Sequence, residues 1–279
     1  YFYEERNFKN NRILSFGLRF LNKEKDVLPS ISYLVKGAHN YNYRMSYSAG
    51  YRNPSIKERY YQWQDHAGPD ILGNPTLEST ENNYFSISLD KRSLINDFSV
   101  DIYRNDINNM ISTEYDIEGN LQYKNYDKVI INGINVHYYR RITDKLKLKF
   151  VYNLTDASSN SSEILEGISK HALRLNLYYK LLDKMDMVMN VKYSGEKFIF
   201  DQEQDFVGNP SIKELSSYFI SDLYLNTSFE NMIFKIGVKN IFDYKDSDRF
   251  VSEILNNYDP GRRIFMELSL KFKGDRYEE

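Results

Sequence analysis

The sequence predicts an all-β fold of the membrane class, an antiparallel up-and-down β-barrel, and three observations support this prediction. Apolar and polar residues alternate with a period of two along most of the chain, as in strands that have one apolar face. The connections between these segments are alternately short and long, which is typical of outer-membrane barrels. Tyr and Phe are abundant, with 25 and 17 copies among 279 residues, and both favour strands and membrane interfaces.

The composition excludes several other classes of protein. No run of about 18 apolar residues occurs, so no transmembrane helix is predicted. A net charge of -2 gives no electrostatic reason to expect binding to nucleic acid. Cysteine is absent, which excludes disulfides and thiolate metal sites. The chain starts without an initiator Met or a signal-peptide pattern, so either it is cytoplasmic or its true N-terminus lies upstream, and the strand count below favours the second alternative.

About twelve strands are predicted, and most of them exceed the five or six residues that are usual in soluble proteins. A tilted strand needs about 9–11 residues to cross a bilayer, which is the length that most of these segments reach. The predicted strands cover residues 11–22, 28–36, 41–52, 79–90, 97–108, 127–140, 145–155, 169–181, 185–200, 217–228, 232–241 and 261–273.

The two faces of the predicted strands differ in polarity. In the last strand Ile264, Met266 and Leu268 share one face, whereas Arg263 and Glu267 share the other. A small soluble barrel would place its aliphatic side chains inside, but the charged face is too large to fill a small core. We therefore expect the aliphatic face to meet lipid and the polar face to line a wide lumen.

The connections alternate in length along the whole chain. Outer-membrane barrels have short turns on the periplasmic side and longer loops on the extracellular side. A soluble β-sandwich, the alternative fold, gives no reason for this alternation. The predicted longer connections are 23–27, 53–78, 109–126, 156–168, 201–216 and 242–260, and the short ones are 37–40, 91–96, 141–144, 182–184 and 229–231.

Four motifs occur in order along the chain. The first, at 51–58, reads Tyr-Arg-Asn-Pro-Ser-Ile-Lys-Glu, and the second, at 73–77, reads Gly-Asn-Pro-Thr-Leu. The third is a strand–loop–strand pattern between Tyr103 and Ile134, and the fourth joins Asn-Ile-Phe-Asp at 240–243 to a later Pro-Gly-Arg. Together they resemble the C-terminal part of the barrel of TonB-dependent outer-membrane receptors. The residues that carry the first two motifs are Tyr51, Arg52, Pro54, Glu58, Asn74 and Pro75.

This resemblance implies a barrel of about 22 strands around an N-terminal plug. Residues 1–279 would then be the C-terminal portion of the barrel, with the plug and the N-terminal strands absent. Such a chain has two unpaired sheet edges, so we do not expect it to insert or transport alone. Three details depart from the family pattern: Asn53 replaces a small residue, Glu-Ser-Thr at 78–80 replaces Lys-Pro-Glu, and residues 273–279 follow Phe272, where the family usually ends.

The resemblance also implies a function and a location. Such receptors lie in the outer membrane of Gram-negative bacteria, contact its lipid, and couple to the TonB complex through the plug. Their extracellular loops bind a scarce metal complex, so we expect a transport protein and not an enzyme. The expected ligand is haem or a ferric siderophore, carried as cargo and not held as a prosthetic group. Cobalamin, an oligosaccharide, and a passive porin or adhesin barrel are the alternatives.

The loop between the first two motifs contains the predicted ligand-binding residues. In haem receptors of this family, a His between these motifs is the expected axial ligand of iron, and His66 occupies this interval. Neutral imidazole is a good iron ligand, and aromatic rings pack on a porphyrin face. The alternative is an ordinary loop histidine among aromatic residues of an interface belt. The predicted ligand-binding set is His66, Tyr60, Tyr61, Trp63 and Asp65.

Other candidate metal ligands are weaker. Asp201, Glu203 and Asp205 supply only part of the six to eight oxygens that calcium takes, so a solvated acidic loop is the alternative. The remaining histidines have no second histidine at metal-site spacing, and we expect a solvated turn, a lumenal position and a structural role for His39, His137 and His171, respectively.

Overall fold

The computed structural model describes residues 1–20, 27–63, 70–93, 95–116, 120–160, 167–204, 210–229, 231–245 and 261–270. One short α-helix, α1 (Ile56–Tyr60), and a single 3-10 turn occur among these residues, and the other regular elements are strands. The strands are β1 (Phe2–Phe8), β2 (Arg12–Phe20), β3 (Val27–Lys36), β4 (Tyr41–Arg52), β5 (Gln62–Trp63), β6 (Ile71–Leu72), β7 (Thr80–Lys91), β8 (Asn96–Tyr115), β9 (Leu121–Arg141), β10 (Leu146–Ser159), β11 (His171–Leu182), β12 (Met185–Ser194), β13 (Lys197–Gln204), β14 (Pro210–Leu215), β15 (Tyr218–Phe229), β16 (Met232–Lys239) and β17 (Arg263–Leu270).

Fifteen of these strands form one sheet, and its main path runs β1-β2-β3-β4-β7-β8-β9-β10-β11-β12-β15-β16-β17 with every neighbouring pair antiparallel. This up-and-down order confirms the predicted fold class. Strands β1 and β17 end the path and do not pair with each other within the described residues, so the barrel is not closed here. Within the same residues, no helix combines the length and apolarity that crossing a bilayer requires.

Three strand predictions were wrong in detail. Strand β1 was not predicted, and the predicted strand 185–200 ends at Ser194, where a separate hairpin of β13 and β14 begins. The predicted long connection 109–126 is instead mostly strand, because β8 and β9 remain paired as far as Tyr115 and Leu121. Asn109 has a positive φ of 52°, as an asparagine in a turn often does. No turn forms there, however, because β8 and β9 pair on both sides of it.

The strand register fixes the two faces of the sheet. Met45, Ile87, Ile102, Ile134 and Leu154 lie opposite one another on five consecutive strands of the path and make one face aliphatic. The other face carries the polar rows. One such row runs in register through Asn42, Asp90, Ser99, His137, Val151, Arg174 and Lys192. The aliphatic face is therefore the lipid face and the polar face lines the lumen, as predicted.

The lumen face also holds the close backbone approaches. A side chain at Gly133 would place its Cβ 2.3 Å from Cζ of Tyr103, whose ring stacks on Tyr84 with a centroid distance of 5.8 Å. Glycine therefore leaves room for this ring where it crosses the neighbouring strand, and a larger residue would force the ring to move. Further toward the long loops, Ile107, Tyr126 and Val129 form a small buried cluster, which stiffens the extended hairpin of β8 and β9.

Candidate functional site

The first sequence motif builds the entrance to the loop between β4 and β7. The amide of Ser55 donates to Oε2 of Glu58 at 2.7 Å, and Oγ of Ser55 accepts from the amide of Glu58 at 3.2 Å. This reciprocal capping box starts helix α1 just after Pro54. Nη1 of Arg52 lies 2.9 Å from both carboxylate oxygens of Glu58, and Tyr51 donates to Asn53 at 3.0 Å. The motif therefore stabilises the conformation of the chain at the start of this loop.

The charge of Glu58 gives the loop entrance a pH dependence. Partial burial acts to raise the pKa of this carboxyl, but the amide of Ser55 and the guanidinium of Arg52 outweigh burial and hold the pKa below its ordinary value. The stabilisation is complete above that ordinary value, about 4.5, and is lost as pH falls through the lower folded pKa. We expect amide protection factors in α1 to fall below about pH 4.5, and hydrogen exchange measures them. Glu58→Gln should remove this acid response, and an unchanged response would contradict the assignment.

The second motif ties the loop to the barrel wall. The amide of Asn74 donates to the Glu58 carbonyl at 2.9 Å, and its Nδ2 donates to the carbonyl of Tyr123 on β9 at 3.0 Å. Its Oδ1 accepts from the amide and the hydroxyl of Thr76 at 3.0 and 2.6 Å, which closes the turn that Pro75 begins. One side chain therefore joins the helix, the turn and the wall.

The return of the loop to β7 is held equally firmly. Leu77 is only 3% exposed, and its carbonyl accepts from Nη2 of Arg59 at 3.0 Å. Oδ1 of Asn125 accepts from the amide of Glu78 at 2.8 Å, while its Nδ2 donates to the carbonyls of Glu78 and Asn109 at 3.1 and 2.9 Å. We name Arg52, Glu58, Asn74, Leu77 and Asn125 the loop frame.

The outer part of the loop is a small hairpin. Strands β5 and β6 pair antiparallel, and β6 also pairs parallel with the upper end of β9. The amide of Leu121 donates to the carbonyl of Asp70 at 2.7 Å, which fixes the hairpin to the wall. Asp65 and His66 fall between the two strands in sequence and lie outside the described residues, so their assignment stays a prediction.

The predicted aromatic residues come together on this hairpin and the helix before it. The rings of Tyr61 and Trp63 are stacked, with centroids 6.4 Å apart and an interplanar angle of 8°. Nζ of Lys57 lies 5.1 Å from the centroid of Tyr61, a cation–π distance. Tyr60 and Trp63 are 63% and 50% exposed. We name Lys57, Tyr60, Tyr61 and Trp63 the aromatic patch, which offers flat apolar surface beside a positive charge.

Sequence reasoning missed two basic residues of this region. Lys57 precedes Tyr61 by one helical turn, and this spacing was the signal that could have found it. Arg19 had no comparable signal, because only the strand order brings β2 close to β4. It lines, together with Arg52, Asn82 and Ile107, a cavity of about 490 Å³ that opens on the lumen side of the loop frame.

The fourth motif closes the connection between β16 and β17. Asn240 is fully buried, and its amide donates to Oδ1 of Asp222 at 2.9 Å. Its side chain bonds the backbone of Tyr244 twice, donating to the carbonyl at 2.7 Å and accepting from the amide at 2.9 Å. Oδ1 of Asp243 accepts from the amide of Arg262 at 2.8 Å, and this bond lowers the pKa of Asp243. The motif thus joins the two described ends of this connection.

The structure gives little evidence for a metal site at the other candidate residues. Among the residues whose positions are described, no group of three His, Asp or Glu side chains is arranged to hold a metal ion. The side chains of Asp201 and Glu203 on β13, and the whole of Asp205, lie outside the described part, so the calcium site remains a prediction. His39 is exposed in a turn, His137 lies on the lumen face, and His171 opens β11 with Nδ1 2.8 Å from the hydroxyl of Tyr152.

Comparison with known proteins agrees with this architecture. A family model described as TonB dependent receptor-like, beta-barrel matches residues 3–241. No curated protein matches the chain significantly. Similar solved structures include a mutant of the ferric enterobactin receptor PfeA from Pseudomonas aeruginosa in complex with enterobactin, with 17% identity and a TM-score of 0.74, covering 97% of this chain and 45% of that one.

Two further structures show the same fold. The siderophore receptor PirA from Acinetobacter baumannii has 14% identity and a TM-score of 0.76, covering 97% of this chain and 45% of that one. FpvAI in its complex with pyocin S2 has 14% identity and a TM-score of 0.74, covering 96% and 38%. The chain thus spans less than half the length of these receptors. From the family match and the sheet order together, the chain belongs to the TonB-dependent receptor-like β-barrel family, whose members lie in the outer membrane of Gram-negative bacteria.

Proposed function

We propose that the chain is the C-terminal part of the barrel of an active-transport receptor that binds an iron complex at its extracellular loops for TonB-driven uptake. The observation that carries the proposal is the aromatic patch, which is exposed on the long-loop side while the loop frame holds it to the wall. The similar structures of two siderophore receptors support an iron complex as cargo. Membership of this family favours a receptor over the passive porin or adhesin barrel, which was the alternative above.

Haem and ferric siderophores are the two ligand classes within this proposal. Haem presents a flat, conjugated surface, a ferric catecholate siderophore presents aromatic rings, and both carry negative charge, which suits stacked rings beside Lys57. Haem additionally needs an axial ligand, and His66 is the proposed one because it lies between the first two motifs, where haem receptors of this family are expected to carry that ligand. Plug and TonB contacts belong to the parts of the receptor outside this chain.

A haemin titration of the full-length receptor in detergent separates the two classes. With haem as cargo, we expect a Soret shift that saturates near one haemin per protein and weakens at least tenfold in His66→Ala, because an axial bond to iron is lost. His171→Ala is the matched control, since this histidine lies on the barrel wall beside Tyr152 and should leave the shift unchanged. The absence of a saturable shift, or a shift indifferent to His66, would remove haem.

Ferric enterobactin is the second probe, and isothermal titration calorimetry measures its binding. Trp63→Ala should weaken its binding about tenfold if the aromatic patch is the site, since stacking and cation–π contacts contribute about 1–2 kcal/mol. Phe85→Ala on the lipid face is the matched control. Failure of both probes to bind would overturn the iron-complex proposal and leave cobalamin or an oligosaccharide.

A further inference from the structure

The short turns of the sheet, which lie on the periplasmic side of such barrels, carry an excess of positive charge. Four of them follow one another along the wall, between β1 and β2, β3 and β4, β7 and β8, and β9 and β10. Residues 9–12, 36–40, 90–97 and 140–145 form these turns and the adjoining strand ends, and contain eight Lys or Arg against three Asp. We name the eight basic residues the basic arc: Lys9, Arg12, Lys36, Lys91, Arg92, Arg140, Arg141 and Lys145.

This positive charge is local and does not reflect the chain as a whole. The chain has a net charge of -2, and the six longer connections predicted from the sequence contain 21 Asp or Glu against 8 Lys or Arg. The next short turn, between β11 and β12, is balanced, because Lys180 and Lys184 are matched by Asp183 and Asp186. A partner that recognises the basic arc is therefore anionic and approaches from the periplasm.

The chain itself leaves most of the basic arc unneutralised. Two of the three carboxylates hold their own turns together, since Asp90 accepts from Nδ2 of Asn42 at 2.9 Å and Asp97 accepts from the amide of Ser93 at 2.8 Å. Six basic side chains are exposed and form no ion pair or side-chain hydrogen bond within the described part of the chain: Lys9, Arg12, Lys36, Arg92, Arg140 and Arg141. Their charged groups are free to meet a ligand.

The basic arc extends past the membrane interface. Tyr41, Lys91 and Phe98 lie opposite one another on the lipid face, and Nζ of Lys91 is 4.8 Å from the ring centroid of Tyr41, a row typical of the headgroup level. Arg92 follows the end of β7 and Lys145 lies between β9 and β10, so both lie on the water side of this row. Neighbouring strands are about 4.8 Å apart, which separates the first and last turns of the arc by roughly 30 Å. This length suits an extended polymer better than a single lipid headgroup.

We propose that the basic arc docks the receptor on peptidoglycan, the anionic polymer of the periplasm, through the free carboxylates of its peptide stems. Successive carboxylates along the polymer would pair with Lys9, Arg92 and Arg141. Guanidinium groups bind carboxylates through two parallel hydrogen bonds. Each exposed pair is weak, but several acting together give a firm attachment that weakens as ionic strength rises. This docking is independent of the cargo that the receptor carries.

Co-sedimentation of the full-length receptor with purified, protein-free sacculi tests this proposal. Nanodiscs of zwitterionic lipid hold the receptor, so that the lipid adds no net charge. We expect saturable binding of the wild type and several-fold weaker binding of Arg92→Gln/Arg141→Gln. Adding Lys9→Gln and Lys145→Gln to this pair should weaken binding at least tenfold, and raising the salt concentration should weaken the wild type in the same direction.

The matched control is Lys180→Gln/Lys184→Gln, which also removes two positive charges on the short-turn side, but from the balanced turn, and should bind as the wild type does. Sacculi whose carboxylates have been amidated should lose the receptor. Vesicles rich in phosphatidylglycerol represent an anionic lipid surface and should capture the nanodiscs at least tenfold more weakly than sacculi. Binding that is indifferent to the arc variants or to amidation, or equal capture by the vesicles, would each overturn the proposal. A heat-modifiable band on gel electrophoresis confirms that each variant is folded.

Discussion

Vesicles reconstituted with the 279-residue chain alone should show no conducting or ligand-protecting pore. The reason is that β1 and β17 end the sheet without a partner in the described structure. Each leaves a row of backbone donors and acceptors that a bilayer does not satisfy, at several kcal/mol per group. We expect aggregation or interfacial adsorption in place of insertion.

Ion conductance across planar bilayers measures this directly, and protease protection of the reconstituted chain is an independent readout. The full-length receptor, treated identically, supplies the positive control. If the chain is part of a larger receptor barrel, as proposed above, refolding it together with the separately produced remainder should give a heat-modifiable barrel, because the strands of the remainder would pair with both edges. A sealed pore formed by the 279 residues alone would show that the two edges find each other.

Asn240→Ala should lower the free energy of unfolding of the full-length receptor by about 2–4 kcal/mol. The variant loses two hydrogen bonds, and alanine is less stable than asparagine in a left-handed backbone conformation. The side chain bonds the amide and the carbonyl of Tyr244, and the residue has a φ of 51°. Alanine keeps neither the bonds nor the tolerance for this backbone conformation. Urea unfolding in mixed micelles, followed by tryptophan fluorescence, measures the change.

The matched control is Asn226→Ala. This asparagine lies on the neighbouring strand β15, and its side-chain oxygen is buried without a hydrogen-bond partner among the described residues. The same substitution should therefore cost clearly less there. Equal losses at the two positions would mean that the side-chain bonds of Asn240 contribute little. Asn240→Asp, which retains the acceptor, should fall between alanine and the wild type.

Much of the fold follows from local sequence pattern. A strand in a barrel of this type has one lipid face and one lumen face, so a period-two alternation reports both its existence and its orientation. This is why the face shared by Ile264, Met266 and Leu268 could be predicted before the structure, whereas the pairing register between strands was not predicted. Strand β1 escaped prediction because its residues, Phe-Tyr-Glu-Glu-Arg-Asn-Phe, interrupt the alternation with adjacent charges.

The candidate site was predictable only in part. The aromatic residues stand out by type, and the structure brings Tyr61 and Trp63 into a stack. Their closest basic partner, Lys57, required knowledge of where the helix begins. Motif residues such as Asn74 were identified from the sequence only as part of a family pattern, and the structure shows their contacts with the loop itself and with β9. Pattern alone does not distinguish a residue that builds a loop from one that the loop presents.

Because the loop frame holds the two ends of the segment that contains β5 and β6, this segment can be replaced as one unit. Every frame contact is made at or before Arg59, or at or after Asn74, so the segment between them is anchored mainly through its two ends and one short stretch of β9. A segment of equal length from another receptor could be grafted between these anchors while the barrel folds unchanged. Recognition of new cargo would then depend on replacing one surface hairpin and not on redesigning a membrane protein.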